Sequence, residues 1–124
     1  MNDANWILRC NGLSSHAHSM GLICEPRMAQ LMGKVTQRFI SLTSPEDDTL
    51  RNAQHNYVYS AIGAISHADG MGKIHKRSDE LYELCRRLFD KPLPETVGEC
   101  ERSTLSETGF LSEVAGICSG QGLR

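Results

Sequence analysis

An all-α fold, a small antiparallel bundle of three to five helices, is what this sequence predicts. Three observations carry that reading. Met28, Leu31, Met32, Val35, Phe39 and Leu42 recur at the three-, four- and seven-residue spacing that gathers side chains on one face of an α-helix. Leu50, Gln54, Tyr57, Val58, Ala61, Ile65 and Ala68 repeat the pattern further on. Nowhere does the chain alternate as a strand, repeat itself or fall into low complexity.

The elements follow in order. Residues 1–24 hold the apolar cluster Trp6-Ile7-Leu8, the turn signal Asn11-Gly12 and a stretch from Ser14 to Ile23 without a clean period. They are expected to be a short helix or an irregular arm. The first strong helix is predicted over Pro26 to Leu42, since proline suits a first turn where its missing N–H is not needed. Ser44-Pro45-Glu46-Asp47-Asp48 reads as the next start, with Ser44 as cap and three acids at the positive end of the helix dipole. That helix is expected to end near Ala68, with Gly70 as its stop. Another is expected from Lys73 or Ser78 to Phe89, with Ile74, Leu81, Leu84, Cys85 and Leu88 inward and Pro92 and Pro94 ending it. A last short helix is predicted over Ser106 to Cys118, and residues 119–124 read as a frayed tail.

Composition sets the boundaries of function. A chain of 124 residues suits one domain, 1–124, and buries roughly two-thirds of its unfolded surface without staples. A net charge of -2 provides no general attraction to nucleic acid. No apolar run approaches the roughly 20 residues that span a bilayer. The start Met-Asn-Asp-Ala-Asn-Trp has no positive and apolar leader pattern, and the expectation is a cytoplasmic protein. The five cysteines, Cys10, Cys24, Cys85, Cys100 and Cys118, are odd in number and spread out, a poor disulfide framework.

Candidate chemistry meets a plainer reading at each point. Cys10, His16, His18 and Cys24 are zinc-ligand types, but their spacing is not that of ligand knuckles on tight turns, and surface His with buried Cys is favoured. Cys85 with His67 or His75 could form a nucleophile and base, yet Cys85 falls in an apolar stripe where a thiol packs as a small hydrophobe. Lys73, His75, Lys76, Arg77, Arg86 and Arg87 gather positive charge, but Asp79, Glu80 and Glu83 interleave, as on a solvated face. No cofactor, metal or catalytic residue is therefore assigned. The aromatic and apolar residues left off or at the edge of the helical core stripes are Trp6, Ile7, Leu8, Tyr59, Tyr82 and Phe89, and Phe110 and Leu111 of the last predicted helix are added to them. They are taken as candidates for a partner or dimer interface.

Two resemblances add to this. Ala64-Ile65-Ser66-His67-Ala68-Asp69-Gly70, followed by Ile74, resembles the Ala-x-Ala-Asp-Gly turn of TerB-like helical domains. Basic Lys73, His75, Lys76 and Arg77 stand where that family carries a more acidic run. Over its whole length the chain resembles the QslA-like quorum-sensing antiactivators. The likeness is carried by Trp6-Ile7-Leu8-Arg9-Cys10, the long helix from Ser44-Pro45-Glu46 to Ala68, and Leu81 to Leu88. That resemblance implies an all-helical homodimer, without enzymatic activity, that binds the ligand-binding domain of a LuxR-type activator and blocks its dimerisation and DNA binding. The alternatives are a TerB-like or metal-binding helical stress protein, or a phage-type inhibitor of another host complex.

Overall fold

The computed structural model describes residues 4–42, 47–105 and 107–120. Among them the elements are α1 (Ala4–Gly21), α2 (Pro26–Ile40), α3 (Asp48–His75), α4 (Ser78–Phe89), α5 (Val97–Leu105) and α6 (Glu107–Cys118). The described residues contain no strand, and the chain is the all-α bundle that its periodicity predicts.

The central element is α3, whose 28 residues span about 42 Å and which touches every other helix. Direction along it is fixed by paired contacts. Arg9 on α1 donates to Asn52 Oδ1 while His16 stacks on Tyr59, so α1 runs parallel to α3. Between them in sequence, α2 runs the other way: Glu25 N donates to Asp69 Oδ1 at one end and Phe39 meets His55 at the other. α4 follows α2's direction, because Arg27 reaches Asp79 near α4's start and Arg38 Nη1 donates to the Phe89 carbonyl at its end. α5 and α6 run end to end along the remaining flank of α3, from Gln54 Nε2 donating to the Pro94 carbonyl as far as Cys118 beside Met71.

One core joins these elements. Phe39, Leu13, Met28, Met32, Ile62, Ile65, Leu81, Leu84, Val35 and Val58 are all fully buried, so aliphatic and sulfur side chains do most of the packing. Burial of each such side chain contributes about 1.5–3 kcal/mol. Trp6 lies over Phe39 at 4.6 Å between ring centres and closes the core at the start of α1.

Several sequence-level expectations need correction. Of the two expectations for the N-terminal segment the helix is the one that forms, longer than expected over residues 4–21, with Trp6, Leu13 and Ala17 buried. α3 does not stop at Gly70 but continues to His75, because Asp69 is held inside the bundle at 5 % exposure. The helix ends instead at Lys76, which adopts the left-handed conformation (φ 58°), while Arg77 N donates to the Gly72 carbonyl at 2.8 Å. Ile74 consequently belongs to α3, is 73 % exposed, and is no part of α4's stripe. A helix not foreseen, α5, precedes α6; its start is fixed by Glu99 N donating to Thr96 Oγ1. The expected Ser44 cap and Pro45 lie outside the described residues, as do Ser106 and residues 121–124. The observed cap of α3 is Asp47, whose carboxylate accepts from Thr49 N at 2.9 Å.

Asp69 anchors the turn between α1 and α2. Its Oδ1 accepts from Glu25 N at 2.9 Å and its Oδ2 pairs with Lys73 at 3.0 Å, while Lys73 also donates to the Ile23 carbonyl. Asp69→Ala leaves that backbone N–H and the ammonium without their partner. Urea unfolding is expected to show a loss of about 2–4 kcal/mol. Two glycines separate backbone economy from packing. A Cβ at Gly63 meets nothing within 4 Å, so Gly63→Ala is expected to stabilise by about 0.5–1 kcal/mol. At Gly72 a Cβ would lie 3.1 Å from Ser78 Cα, and Gly72→Ala is expected to lower the melting temperature.

Candidate protein-binding face

Where α1 meets α3, a line of rings runs from the core to the surface. Trp6 packs on Phe39, Phe39 meets the edge of His55 at 6.1 Å, His55 lies over Tyr59 at 6.5 Å, and Tyr59 stacks on His16 at 4.8 Å and 12°. This line fixes the rotation of α1 about its own axis. Trp6, Leu13 and Ala17 point inward, and Ile7, Leu8, Gly12, Ser15 and Ser19 point outward.

Arg9, which donates to Asn52 Oδ1, is the charged residue of α1 on this side, and from Cys10 to Cys24 the sequence carries no Asp, Glu, Lys or Arg. Beside α1 lies a flank of α3 that no helix among the described residues covers. Asn52, Asn56, Tyr59, Gly63, His67, Gly70 and Ile74 form that stripe at four- and three-residue spacing, and none is buried. No Asp, Glu, Lys or Arg occurs in it. The exposed apolar side chains here are Leu8 (65 %), Tyr59 (55 %) and Ile74 (73 %), with Leu22 and Ile23 on the adjoining turn. Gly63 and Gly70, each with open space where a Cβ would be, keep the middle of the stripe low. Depletion of charge with aromatic and apolar anchors is the composition of an interface core.

The other surfaces are different. Arg27 pairs with Glu25 and Asp79, each at 2.8 Å, and its guanidinium covers Tyr82 at 4.6 Å from the ring centre. Lys34 and Arg38 converge on Asp90, and Arg86 holds Glu83. The basic run of the sequence is thus divided between elements and largely paired: Lys73 with Asp69 on α3, Arg77 with Glu80 at 3.6 Å, and Arg86 with Glu83 on α4.

Of the interface candidates, Leu8 and Tyr59 share this face, while Ile7, about 180° around α1 from His16, is exposed on the side toward α2. Leu111 is exposed on α6. Tyr82 and Phe89 are half-buried, the first beneath Arg27 and the second edge-on to Phe110. Trp6 and Phe110 are corrected to core residues, at 2 % and 4 % exposure, because α1 and α6 turn them onto Phe39 and Phe89. Leu22, Ile23 and Ile74 were missed. The first two sit in a stretch without a period, and Ile74 reads as α4 core only if α3 stops early.

The remaining chemistry-bearing groups are kept apart. Cys10, His16 and His18 lie along α1, where a rise of 1.5 Å per residue puts Cys10 and His18 roughly 12 Å apart. Among the described residues, no three or more His, Cys, Asp or Glu side chains are grouped to hold a metal ion. Cys24 lies near Asp69 and Ser66 instead, and burial with the Asp69 charge pushes its thiol up to about 11. Cys85 is fully buried, and burial followed by Asp69 pushes it up to about 12, so it is a packed thiol, while His67 and His75 are exposed. Asp69-Gly70 lies inside α3, so the residues resembling the TerB-like turn do not form a turn. Among the described residues no helix is long and apolar enough to cross a membrane. Comparison with models of known protein families, with curated proteins and with solved structures found no match.

The ring line has a pH signature. Burial and then the Arg9 charge lower the pKa of His55, against a hydrogen bond with Asn56. Below the ordinary histidine value near 6.5, the unfolded chain therefore binds the proton more readily than the folded chain. The His55 contribution is complete above that value and is lost as pH falls from it toward the lower folded-state value. Urea midpoints should drop between about pH 7.5 and pH 5.5, and His55→Gln should flatten that part of the profile.

Proposed function

We propose that the protein is a non-enzymatic antiactivator. It binds the ligand-binding domain of a LuxR-type quorum-sensing activator, covers that domain's dimerisation surface and so prevents promoter binding. The free protein is a cytoplasmic homodimer that pairs through the same face.

The observation that supports this reading most is the α1–α3 face, sparse in charge, with its anchors Leu8, Tyr59 and Ile74. The 18 residues of α1 extend about 27 Å, and two helices side by side are about 20 Å wide. That outline, roughly 540 Å² in projection, approaches the 800 Å² or so of accessible surface that each side of a standard interface buries. A face whose charge is confined to Arg9 near one end has little like-charge contact to overcome when it meets a copy of itself about a two-fold axis. The sealed Cys85 thiol favours binding over thiol catalysis. The activator class comes from the QslA-like resemblance of Trp6 to Cys10, of the long helix now seen as α3, and of Leu81 to Leu88.

Leu8→Glu and Tyr59→Glu each place a carboxylate in the middle of this face. Each is expected to weaken the complex with a LuxR-type ligand-binding domain about 30-fold or more, measured by calorimetry. Both should also shift the free protein from dimer to monomer in light scattering. Glu83→Gln, on the charged α4 surface, should leave both unchanged. Failure of the unmodified protein to bind such a domain at micromolar concentration overturns the reading, as does unaltered binding by both face variants.

A further inference from the structure

A cleft of about 200 Å³ opens on the opposite flank of α3, between that helix, the end of α4 and the α5–α6 run. Its apolar wall is made by Ala61, Ala64, Leu88, Phe89, Pro92 and Phe110. Phe89 and Phe110 meet edge to face at 5.9 Å and 64°, so one ring presents its face and the other its edge to the same space.

Among the described residues, the polar lining of the cleft is Tyr57, Ser60, Ser103, Thr104 and Lys91, with no Asp or Glu. Thr104 Oγ1 is committed to the Cys100 carbonyl at 2.9 Å. Among the described residues, Lys91 has no ion-pair partner and the Tyr57 hydroxyl no hydrogen-bond partner. Burial raises the Tyr57 pKa, with Cys100 adding to it and Arg38 opposing, and this keeps the phenol a hydrogen-bond donor at neutral pH.

We propose that this cleft binds a small aromatic carboxylate of about the size of phenylacetate. The ring lies against Phe89 and Phe110, and the carboxylate takes Lys91 and the Tyr57 hydroxyl. Volume sets the upper limit: an apolar cavity of about 150 Å³ holds benzene, so this cleft takes one ring and a short acidic arm. A long acyl chain or a nucleotide exceeds it. Charge sets the sign, since an unpaired ammonium and a donor hydroxyl with no lining acid favour an anion over a neutral or cationic ligand. The site is separate from the α1–α3 face and does not rest on the function proposed above.

The test is a titration of the full chain with phenylacetate, 2-phenylethanol and acetate, followed by amide chemical shifts. Phenylacetate should give saturable shifts centred on Ala61, Ala64, Phe89 and Phe110, and should bind about tenfold tighter than 2-phenylethanol. Acetate alone should not saturate. Lys91→Gln, at an exposed position, should reduce phenylacetate to the affinity of the alcohol and leave alcohol binding unchanged. Ala64→Leu should fill the space and abolish binding of both ring compounds. Absence of saturable shifts with phenylacetate, shifts centred elsewhere, or unchanged phenylacetate affinity in Lys91→Gln overturns the proposal. Because Lys91 is outside the core, that last result is decisive even if Ala64→Leu disturbs folding.

Discussion

The carboxylate of Asp69 is the constraint on which the rest of the arrangement depends. It is a charged group at 5 % exposure, and its position inside a helical core is tolerable only because its oxygens are occupied. One accepts from Glu25 N at the start of α2, and the other holds Lys73, which in turn reaches the Ile23 carbonyl. A single side chain on α3 thereby fixes the turn that reverses the chain between α1 and α2. It also sits where the positive end of the α2 dipole favours a negative charge. With that turn fixed, α1 can lie along α3 only in one direction, and the ring line from Trp6 to His16 sets which of its sides faces outward.

The legibility of the sequence followed contrast between helix faces. α2 and α4 place apolar residues on one side and charges on the other. α2 and the Leu81, Leu84 and Cys85 stripe of α4 were therefore readable from spacing, while the start of α4 lay open between Lys73 and Ser78 and Ile74 was misassigned to it. α1 defeats that method for the same reason that it is interesting: its outer side carries Ile7 and Leu8 and no charge besides Arg9, so the difference between its faces is small. α3 was readable through Ala68 but not beyond, because Asp69-Gly70 looks like a helix end unless Asp69 is known to have Glu25 as a distant partner. α5 buries Cys100 and is shaped by Thr96, Glu99 and Pro94, contacts too local and too polar to leave a periodic stripe. The candidate face was partly visible, through Leu8 and Tyr59. Leu22, Ile23 and Ile74 depended on tertiary information, and so did the removal of Trp6 and Phe110 from the candidates.

The two flanks of α3 have been given opposite surface chemistry. Toward α1 the surface is broad, sparse in charge and low in relief at Gly63 and Gly70, suited to another macromolecule. Toward α5 and α6 it is a small open cleft lined by apolar rings, hydroxyls and Lys91, the proposed site for a small anion. A helix that touches every other element, as α3 does, connects both environments through the same rigid backbone.

The order in which the helices lie has a consequence for how the molecule forms. Each helix from α1 to α4 reverses on the one before it, and the α5–α6 run reverses again. Most packing partners are thus neighbours along the chain, and the loops that must close are short. Such a topology belongs to the fast end of folding. The pairings that arrive from a distance, Arg9 with Asn52 and Glu25 with Asp69, then act as locks on a bundle already in register.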